Sequence, residues 1–504
     1  MANKNNSVTQ GMSPAMTCVG KAKHGALYEM ANSEVLVLHL YGTPHQMGYA
    51  QGVLLNKKIV NFYGEFIQFL VDFFVKSPPG RLQSVPACYR VVLAPQGMGS
   101  ITKETVEKAL AAVVKNTKPY TPAHFTEEAK GIADGIVDHD KSQLQDSLQL
   151  QYSKQYEIVL GISMFGELVR AGCSIIGANK TATKTGKVIQ LRALDFGFPE
   201  PLVGNPLLKV YHPNSIPGVG HEFLTLGWVG FIGALTSYSR YTAVSEKVWA
   251  WRRNQMTDPQ KLKAPNKEKL LKNLEAMKTL VQKDNPKEEK KLSTQDLADL
   301  RTSIDMQDEL PDYGQYSSKG IPFNFLLRDI AQFDESIRQT RARLNNVHRT
   351  CAIYIGVGTN EGNEFSTFGY SLDSIREFTW DSPFPGFAPQ SPQHHNIKDV
   401  MYINKTEQPN KCDKMGVAIN NALSNKQGGA SYISVEDMKD ICREEQTGTV
   451  HIAIFDFAEN TVDIAIAIQD SKGWADAWQT ENDAYIKLDA NALFDLRLDG
   501  HFVG

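Results

Sequence analysis

Cysteine is scarce: six occur in 504 residues, at positions 18, 88, 173, 351, 412 and 442, and no two stand as C-x-x-C. That spacing excludes the usual zinc clusters, and six thiols are too few to staple a chain of this length. Cys412 and Cys442 are the plausible disulfide pair closest in sequence. Net charge is nearly absent as well, −3 from 53 basic and 56 acidic residues. Such a balance offers a polyanion nothing to hold, so nucleic acid is not expected as a partner. No uncharged apolar run reaches about 18 residues, so no segment reads as a membrane-spanning helix. The opening Met1-Ala2-Asn3-Lys4-Asn5-Asn6 lacks the apolar core of a secretory signal. Walker A, H-E-x-x-H and G-x-S-x-G patterns are missing. Asp138-His139-Asp140-Lys141-Ser142 begins like a calcium loop but lacks the glycine and glutamate that such a loop needs further on. His394-His395 has no third ligand in register, so neither a metal nor another cofactor is expected.

What is present is an ordinary globular composition, 42% hydrophobic and 22% charged, organised around one stretch. Ala171-Gly172-Cys173-Ser174-Ile175-Ile176-Gly177 and Lys187-Val188-Ile189-Gln190-Leu191-Arg192-Ala193-Leu194-Asp195-Phe196 flank a polar segment, 179–186, that ends in Lys184-Thr185-Gly186. The pattern predicts an antiparallel hairpin. If the Gly172–Cys173 bond is cut, one residue carries both a thiol nucleophile and a free α-amine of near-neutral pKa. Arg192 would favour the thiolate, and Asp195 would accept a hydrogen bond from the α-ammonium. Residues three apart on a regular strand point to opposite faces, so both face Cys173 only if the strand bulges or ends. Read alone, the hairpin equally fits a small buried cysteine beside an ordinary ion pair.

Before the hairpin, residues 1–33 read as loosely structured, 34–41 as a strand, and the chain from His45 onward as helix. Phe62, Phe66, Leu70, Phe73 and Phe74 recur at helical spacing, which fits a core-facing stripe or contact with an acyl chain or a membrane surface. Helices are expected over 103–116, 124–138 and 155–170, making 1–172 mostly helical, and strands dominate after 173. Gly227, Gly230 and Gly233 suggest close backbone approach beside a site. Residues 252–318 turn abruptly to Lys, Glu and Pro and read as a charged surface insertion. A helix is expected from 323 to 344, paired strands over 350–357 and 365–372, a helix over 411–424, and closing strands over 449–457 and 461–469. Sequons at Asn5, Asn179 and Asn404 favour a lysosomal or secreted protein, with a cytoplasmic one as the alternative.

Several of these features, in this order, resemble a group of N-terminal-nucleophile cysteine hydrolases. The group includes the acyl-CoA:6-aminopenicillanate acyltransferase family, acid ceramidase and N-acylethanolamine acid amidase. Gly42-Thr43-Pro44-His45-Gln46-Met47-Gly48-Tyr49-Ala50-Gln51-Gly52 is similar to the acyltransferases' G-x-P-x-x-x-G-x-x-x-G. Gly172-Cys173-Ser174 resembles their cleavage junction, and Arg192-Ala193-Leu194-Asp195-Phe196 the group's R-x-L-D-[FW] strand. Gly233-Ala234-Leu235-Thr236 and Val244-Ser245-Glu246 resemble the ceramidase–amidase segment G-x-x-T…V-S. The resemblance implies an α+β fold, an αββα sandwich of two stacked antiparallel sheets flanked by helices. It implies a helical segment 1–172, a catalytic core 173–504, and fragments that stay associated after self-cleavage. It also implies an amidase acting on a lipid N-acyl amide through an acyl-enzyme on Cys173. Alternatives are acyl transfer to an amine or thiol, and an inactive lipid-binding relative. The acyltransferases place an oxyanion-binding Asn where this chain has Leu235-Thr236, so Thr236 and Asn360 are the expected electrophilic groups, with backbone N–H groups as the alternative.

Overall fold

Three strands open the described chain, β1 (Met16–Ala22), β2 (Gly25–Met30) and β3 (Leu36–Gly42), where the sequence predicts only the third. The structure, a computed structural model, describes residues 14–31, 33–76, 85–139, 155–168, 172–196, 201–213, 219–248, 316–372, 374–382, 394–405, 409–424, 431–470 and 473–498. β1 escapes a pattern search because it is an edge strand with no fully buried residue. The Gly42-Thr43-Pro44 string turns the chain from β3 into α1 (Pro44–Val75). Gly42 supplies a φ of 105°. Thr43 Oγ1 accepts from Gln46 N at 3.3 Å while Gln46 Oε1 accepts from Thr43 N at 2.9 Å, a capping box with proline at the first helical position.

Helices α2 (Ala87–Leu93), α3 (Lys103–Thr117), α4 (Ala123–His139) and α5 (Tyr156–Ser163) follow, then the predicted hairpin, β4 (Gly172–Ala178) and β5 (Ile189–Asp195). Next come β6 (Pro206–Pro213), β7 (Phe223–Trp228), β8 (Thr236–Ser239) and β9 (Thr242–Val248). The expected insertion lies outside the described residues up to 315. The expected single helix from 323 is two, α6 (Phe323–Phe333) and α7 (Ile337–Asn346), because Ser336 caps a fresh start. The rest is β10 (Ile353–Thr359), β11 (Glu364–Tyr370), β12 (Ile375–Phe378), β13 (Val400–Ile403), α8 (Pro409–Ser424), α9 (Val435–Glu445), β14 (His451–Asp456), β15 (Thr461–Ile466), β16 (Ile468–Asp470), β17 (Gly473–Ala475), β18 (Ile486–Asp489) and α10 (Ala490–Asp495).

Two sheets carry the architecture. One has ten strands in the order β1-β2-β3-β6-β7-β8-β9-β10-β11-β12, the other six in the order β13-β4-β5-β14-β15-β18. Every pairing is antiparallel except β3 with β6. Between the sheets Val37, Val210, Leu224 and Tyr354 meet Ile175, Val188, Met401 and Phe455. Helices α1, α4 and α6 cover the outer face of the larger sheet, and α8 and α9 cover the smaller one through Met415, Ile419, Met438 and Ile441. The layer order is αββα. Residues 1–172 are therefore not simply a helical segment, since β1 to β3 build one end of the larger sheet.

The aromatic stripe of α1 faces inward: Phe62, Phe66, Leu70 and Phe74 are buried, so contact with a lipid surface is not made by these residues. Cys442 is a buried free thiol, which removes the Cys412–Cys442 bridge. Asn179 is buried and donates to Asn363 O at 2.8 Å, and Asn404 is buried and donates to Glu445 Oε2 at 2.9 Å. Neither side-chain amide is open to a glycan in the folded chain, and Asn5 lies outside the described residues. Among the described residues no helix is long and apolar enough to cross a membrane.

α1 and α4 approach through glycines, as the small residues near position 48 suggest. A Cβ on Gly48 would overlap Glu128 O, and one on Gly131 would overlap His45 O. Gly131→Val is expected to cost about 1–3 kcal/mol or more in urea unfolding, because backbone has to move. Gly64, on the same helix, has no atom within 4 Å of an added Cβ. Gly64→Ala is expected to stabilise by about 0.5–1 kcal/mol in the same measurement.

Candidate active site

The β4–β5 register pairs Cys173 with Leu194 and Ile175 with Arg192, so thiol and guanidinium share one face of the smaller sheet. Gly172 pairs with Asp195 and Ser174 with Ala193, which puts the Asp195 carboxylate on the other face. No bulge intervenes. The strand geometry thus keeps Arg192 and Asp195 apart, and only Arg192 faces the thiol.

On the thiol face the side chains form one buried chain of contacts. Arg192 Nη2 donates to Cys173 Sγ at 3.2 Å and to Glu246 Oε1 at 3.1 Å, and the thiol lies 3.8 Å from the same carboxylate oxygen. Arg192 Nη1 donates to His451 Nε2 at 3.0 Å, and Thr236 Oγ1 lies 2.9 Å from that nitrogen. All five side chains are buried, Cys173 and Arg192 completely. Burial pushes the Cys173 thiol well up from its ordinary value, and the Arg192 cation opposes that rise without cancelling it. Burial also raises Glu246, again against Arg192, and it drives His451 far down. A neutral His451 accepting from Arg192 at Nε2 must carry its proton on Nδ1. Arg192 Nε and Glu246 Oε2 have no hydrogen-bond partner among the described residues.

On the opposite face Asp195 is held by four donors. Thr447 Oγ1 reaches Oδ2 at 2.6 Å; Gly448 N, Thr449 N and Lys405 Nζ reach Oδ1 at 2.9, 3.3 and 3.5 Å. Ser174 Oγ sits 2.7 Å from Thr447 Oγ1 and accepts from Lys405 N at 2.9 Å. Burial raises the Asp195 carboxyl, while Lys405, Thr447 and the two amides pull it back.

Thr236 joins the cluster only through His451. Asn360 does not join it. It sits after β10 in the turn to β11, where its Oδ1 accepts from Lys187 Nζ at 3.0 Å and its Nδ2 donates to Arg240 O at 3.3 Å. Glu246 pairs with Ile355, five residues before Asn360, so about 17 Å of strand separates Asn360 from the cluster. Its assignment to the oxyanion site is corrected on that distance. Two members of the cluster carry little sequence signal. Glu246 closes the V-S-E string, and His451 is a lone histidine at a strand start.

The loop before Thr236 is anchored by two helices and by β6. Tyr63 Oη donates to Gly230 O at 2.7 Å, Lys209 Nζ to Phe231 O, and Arg328 Nη1 to Ile232 O at 2.7 Å. Burial brings Lys209 down to about 7, and Glu128 holds it from falling further. Gly230 (φ 68°) and Gly233 are close-approach points, but they face Tyr63 and Asn324 rather than the thiol. Among the described residues no group of three or more His, Cys, Asp or Glu could hold a metal.

Fold and cluster together define a two-sheet αββα protein with a thiol, a guanidinium and a carboxylate sealed at one end of the smaller sheet. Two Dictyostelium discoideum proteins are similar over nearly the whole chain. Protein dcd1B is 33% identical across 89% of this chain and 72% of its own length, and protein dcd1A is 30% identical across 95% and 90%. The chain belongs to the family of these dcd1 proteins. An uncharacterized protein of Archaeoglobus fulgidus is 28% identical across 45% of this chain and 35% of its own length. No protein-family model matches. Among solved structures, a Caenorhabditis elegans N-acylethanolamine-hydrolyzing acid amidase ortholog aligns at TM-score 0.31 and 13% identity, covering 56% of this chain and 93% of that one. The C2A mutant of a Clostridium perfringens conjugated bile acid hydrolase aligns at TM-score 0.31 and 7% identity, covering 63% and 95%. Likeness at that level carries no function across.

Arg192→Met strands a buried Glu246 and is expected to cost about 3–5 kcal/mol in chemical denaturation. Adding Glu246→Leu is expected to return much of that loss. Because the folded-state pKa of Glu246 is raised, its stabilising contribution is full below the ordinary value of 4.5 and falls as pH rises through the folded value. Glu246→Gln should therefore flatten the decline in stability above pH 4.5.

Proposed function

We propose that this chain is a self-processing cysteine amidase that cuts itself before Cys173 and then hydrolyses a lipid N-acyl amide of the ceramide or N-acylethanolamine kind. The observation that carries the reading is the placement of Cys173. Its thiol lies 3.2 Å from Arg192 Nη2 on one side of the strand, while Asp195, on the other side, pairs with Gly172 across the bond to be cut.

In the first reaction the Cys173 sulfur attacks the Gly172 carbonyl carbon, the thiol proton leaving to the Glu246 side. The C–N bond breaks, the nitrogen takes a proton and becomes the α-amine, and a thioester remains on sulfur. Water then hydrolyses the thioester, leaving a Gly172 carboxylate and a free thiol. In the second reaction the α-amine takes the thiol proton, the thiolate attacks the substrate amide, and the same nitrogen returns the proton to the departing amine. Water releases the fatty acid from the acyl-enzyme. With Asn360 distant, Arg192 Nε is the unpartnered donor closest in role to an oxyanion ligand.

An apolar acyl group suits the surroundings. Phe69 and Phe73 on α1 pack on Phe196, next to Asp195, at ring separations of 5.9 and 5.8 Å. Phe66 meets Phe165 at 4.9 Å, and Trp228 lies 6.4 Å from His451. Acyl transfer to an amine or thiol would use the same acyl-enzyme and differ only in what attacks it.

Purified protein held at mildly acidic pH is expected to resolve on denaturing electrophoresis into residues 1–172 and 173–504, the second beginning at Cys173 by mass spectrometry. Cys173→Ala is expected to stay whole. A wild-type chain that also stays whole would point instead to a lipid-binding protein without this activity.

A further inference from the structure

The face of β4 opposite the thiol carries a built group of side chains that the two reactions above leave without a task. Counting on from Ile403↔Ile175 in the β13–β4 register brings Lys405 level with Cys173. Its backbone encloses the junction: N donates to Ser174 Oγ at 2.9 Å, and its carbonyl oxygen lies 3.6 Å from the point where Gly172 would carry a Cβ. Its ammonium reaches 3.5 Å from Asp195 Oδ1 and is braced by Gln446 O. Thr447, Gly448 and Thr449 fix the remaining freedom of that carboxylate. We propose that Lys405 is a positioning residue that acts through Asp195 on the Cys173 nitrogen, from the face opposite the thiol. The proposal rests on the reading of Cys173 as a self-cleaved N-terminal nucleophile.

The chemistry comes from counting charges. Before the cut, Asp195 has one cationic neighbour on its own face among the described residues, Lys405. On the proposed reading the cut turns the Cys173 nitrogen, next in the chain to Gly172 and so to the strand partner of Asp195, into a second ammonium. An α-ammonium has a pKa of roughly 7.7–8.0, close to neutrality. A lysine side chain facing the same carboxylate favours loss of the α-ammonium proton, so the α-amine becomes free. A free amine is the form that can take the thiol proton. The other titratable groups around this point do not supply that bias. The Cys442 thiol on α9 is raised by burial and stays neutral. Arg192 is paired with Glu246, and His451 is neutral, all on the far side of the β4–β5 pair.

Lys405 is partly solvent-exposed, so its side chain can be changed without opening the core. The test uses the processed protein and iodoacetamide, with alkylation of Cys173 followed by mass spectrometry of its N-terminal peptide across pH. In the wild type the labelling rate rises as the proton leaves the thiol–amine pair. In Lys405→Met that rising limb is expected to move up by about one pH unit, the lower end of what a neighbouring charge does. Lys405→Arg keeps the charge and is expected to hold the limb in place. The proposal is overturned if Lys405→Met leaves the limb where it was, if Lys405→Arg moves it as far as the methionine does, or if Cys173 of the cut chain resists labelling at every pH. A wild-type chain that is never cut removes the functional reading itself, whereas a cut chain with an unmoved limb removes only the role of Lys405.

Discussion

A guanidinium with no access to water has to be shared, and the sharing of Arg192 organises this molecule. Its two terminal nitrogens serve a thiol, a carboxylate and an imidazole supplied by β4, β9 and β14. β9 belongs to the ten-stranded sheet and β4, β5 and β14 to the six-stranded one, so this cation ties the two sheets at the end where Cys173 sits. A buried charge without a partner is costly, which makes the Glu246 carboxylate a requirement of the fold before it is anything chemical. The same cation dictates the state of its neighbours. It adds to the burial that keeps His451 neutral and restrains the rise of the thiol, yet burial still wins at Cys173 in the uncut chain. The thiol is therefore held in place but not yet ionised.

The alternation of side chains along a strand supplies the second constraint. Arg192 and Asp195 on one regular strand cannot meet at one thiol, and here they do not try. The Gly172–Cys173 peptide lies between them, with the thiol and its guanidinium on one face and the carboxylate and its donors on the other. For an attack on the preceding carbonyl this division is productive. On the proposed reading, proton removal from sulfur and proton delivery to nitrogen belong to different faces, and neither group blocks the other. The three-residue spacing that looks like an obstacle in the sequence would then separate the two halves of the step.

How much of this is legible in the sequence depends on which residues carry a local pattern. The hairpin, the helices near 103–117 and 123–139 and the paired strands near 353–370 have periodicity or turn glycines to mark them, and they form where expected. The pairing of Cys173 with Arg192 can be read because thiol and cation sit in one hairpin. β1, β2 and β13 cannot: β1 is an edge strand with no fully buried residue, and β13 is a buried four-residue strand whose only partner, β4, lies more than two hundred residues away in sequence. Glu246, His451, Thr447 and Lys405 are brought to the hairpin by long-range strand order and the turn after α9, which no window of neighbouring residues contains. Asn360 fails for the same reason in reverse. A polar residue in a turn resembles an oxyanion ligand until the register sets it at the other end of the sheet.

The sealing of Cys173 bears on what kind of first reaction the site can run. A reaction with an outside substrate needs an opening large enough for that substrate, and a thiol with no exposed surface offers none. A reaction with the carbonyl of the preceding residue needs no opening, because the electrophile is already joined to the nucleophile by its own backbone. Proximity of that kind is worth up to roughly 7–11 kcal/mol of barrier when the alignment is right. A raised thiol pKa is then tolerable, since the slow formation of thiolate is offset by an electrophile that is never absent. The same environment would be poor for repeated turnover. On the proposed reading, cleavage corrects this by creating a base on the nucleophilic residue itself and by freeing the chain that ends at Gly172 to move from the thiol. On that reading the uncut site is suited to one intramolecular event, and the second reaction would draw on the groups on the two faces of β4.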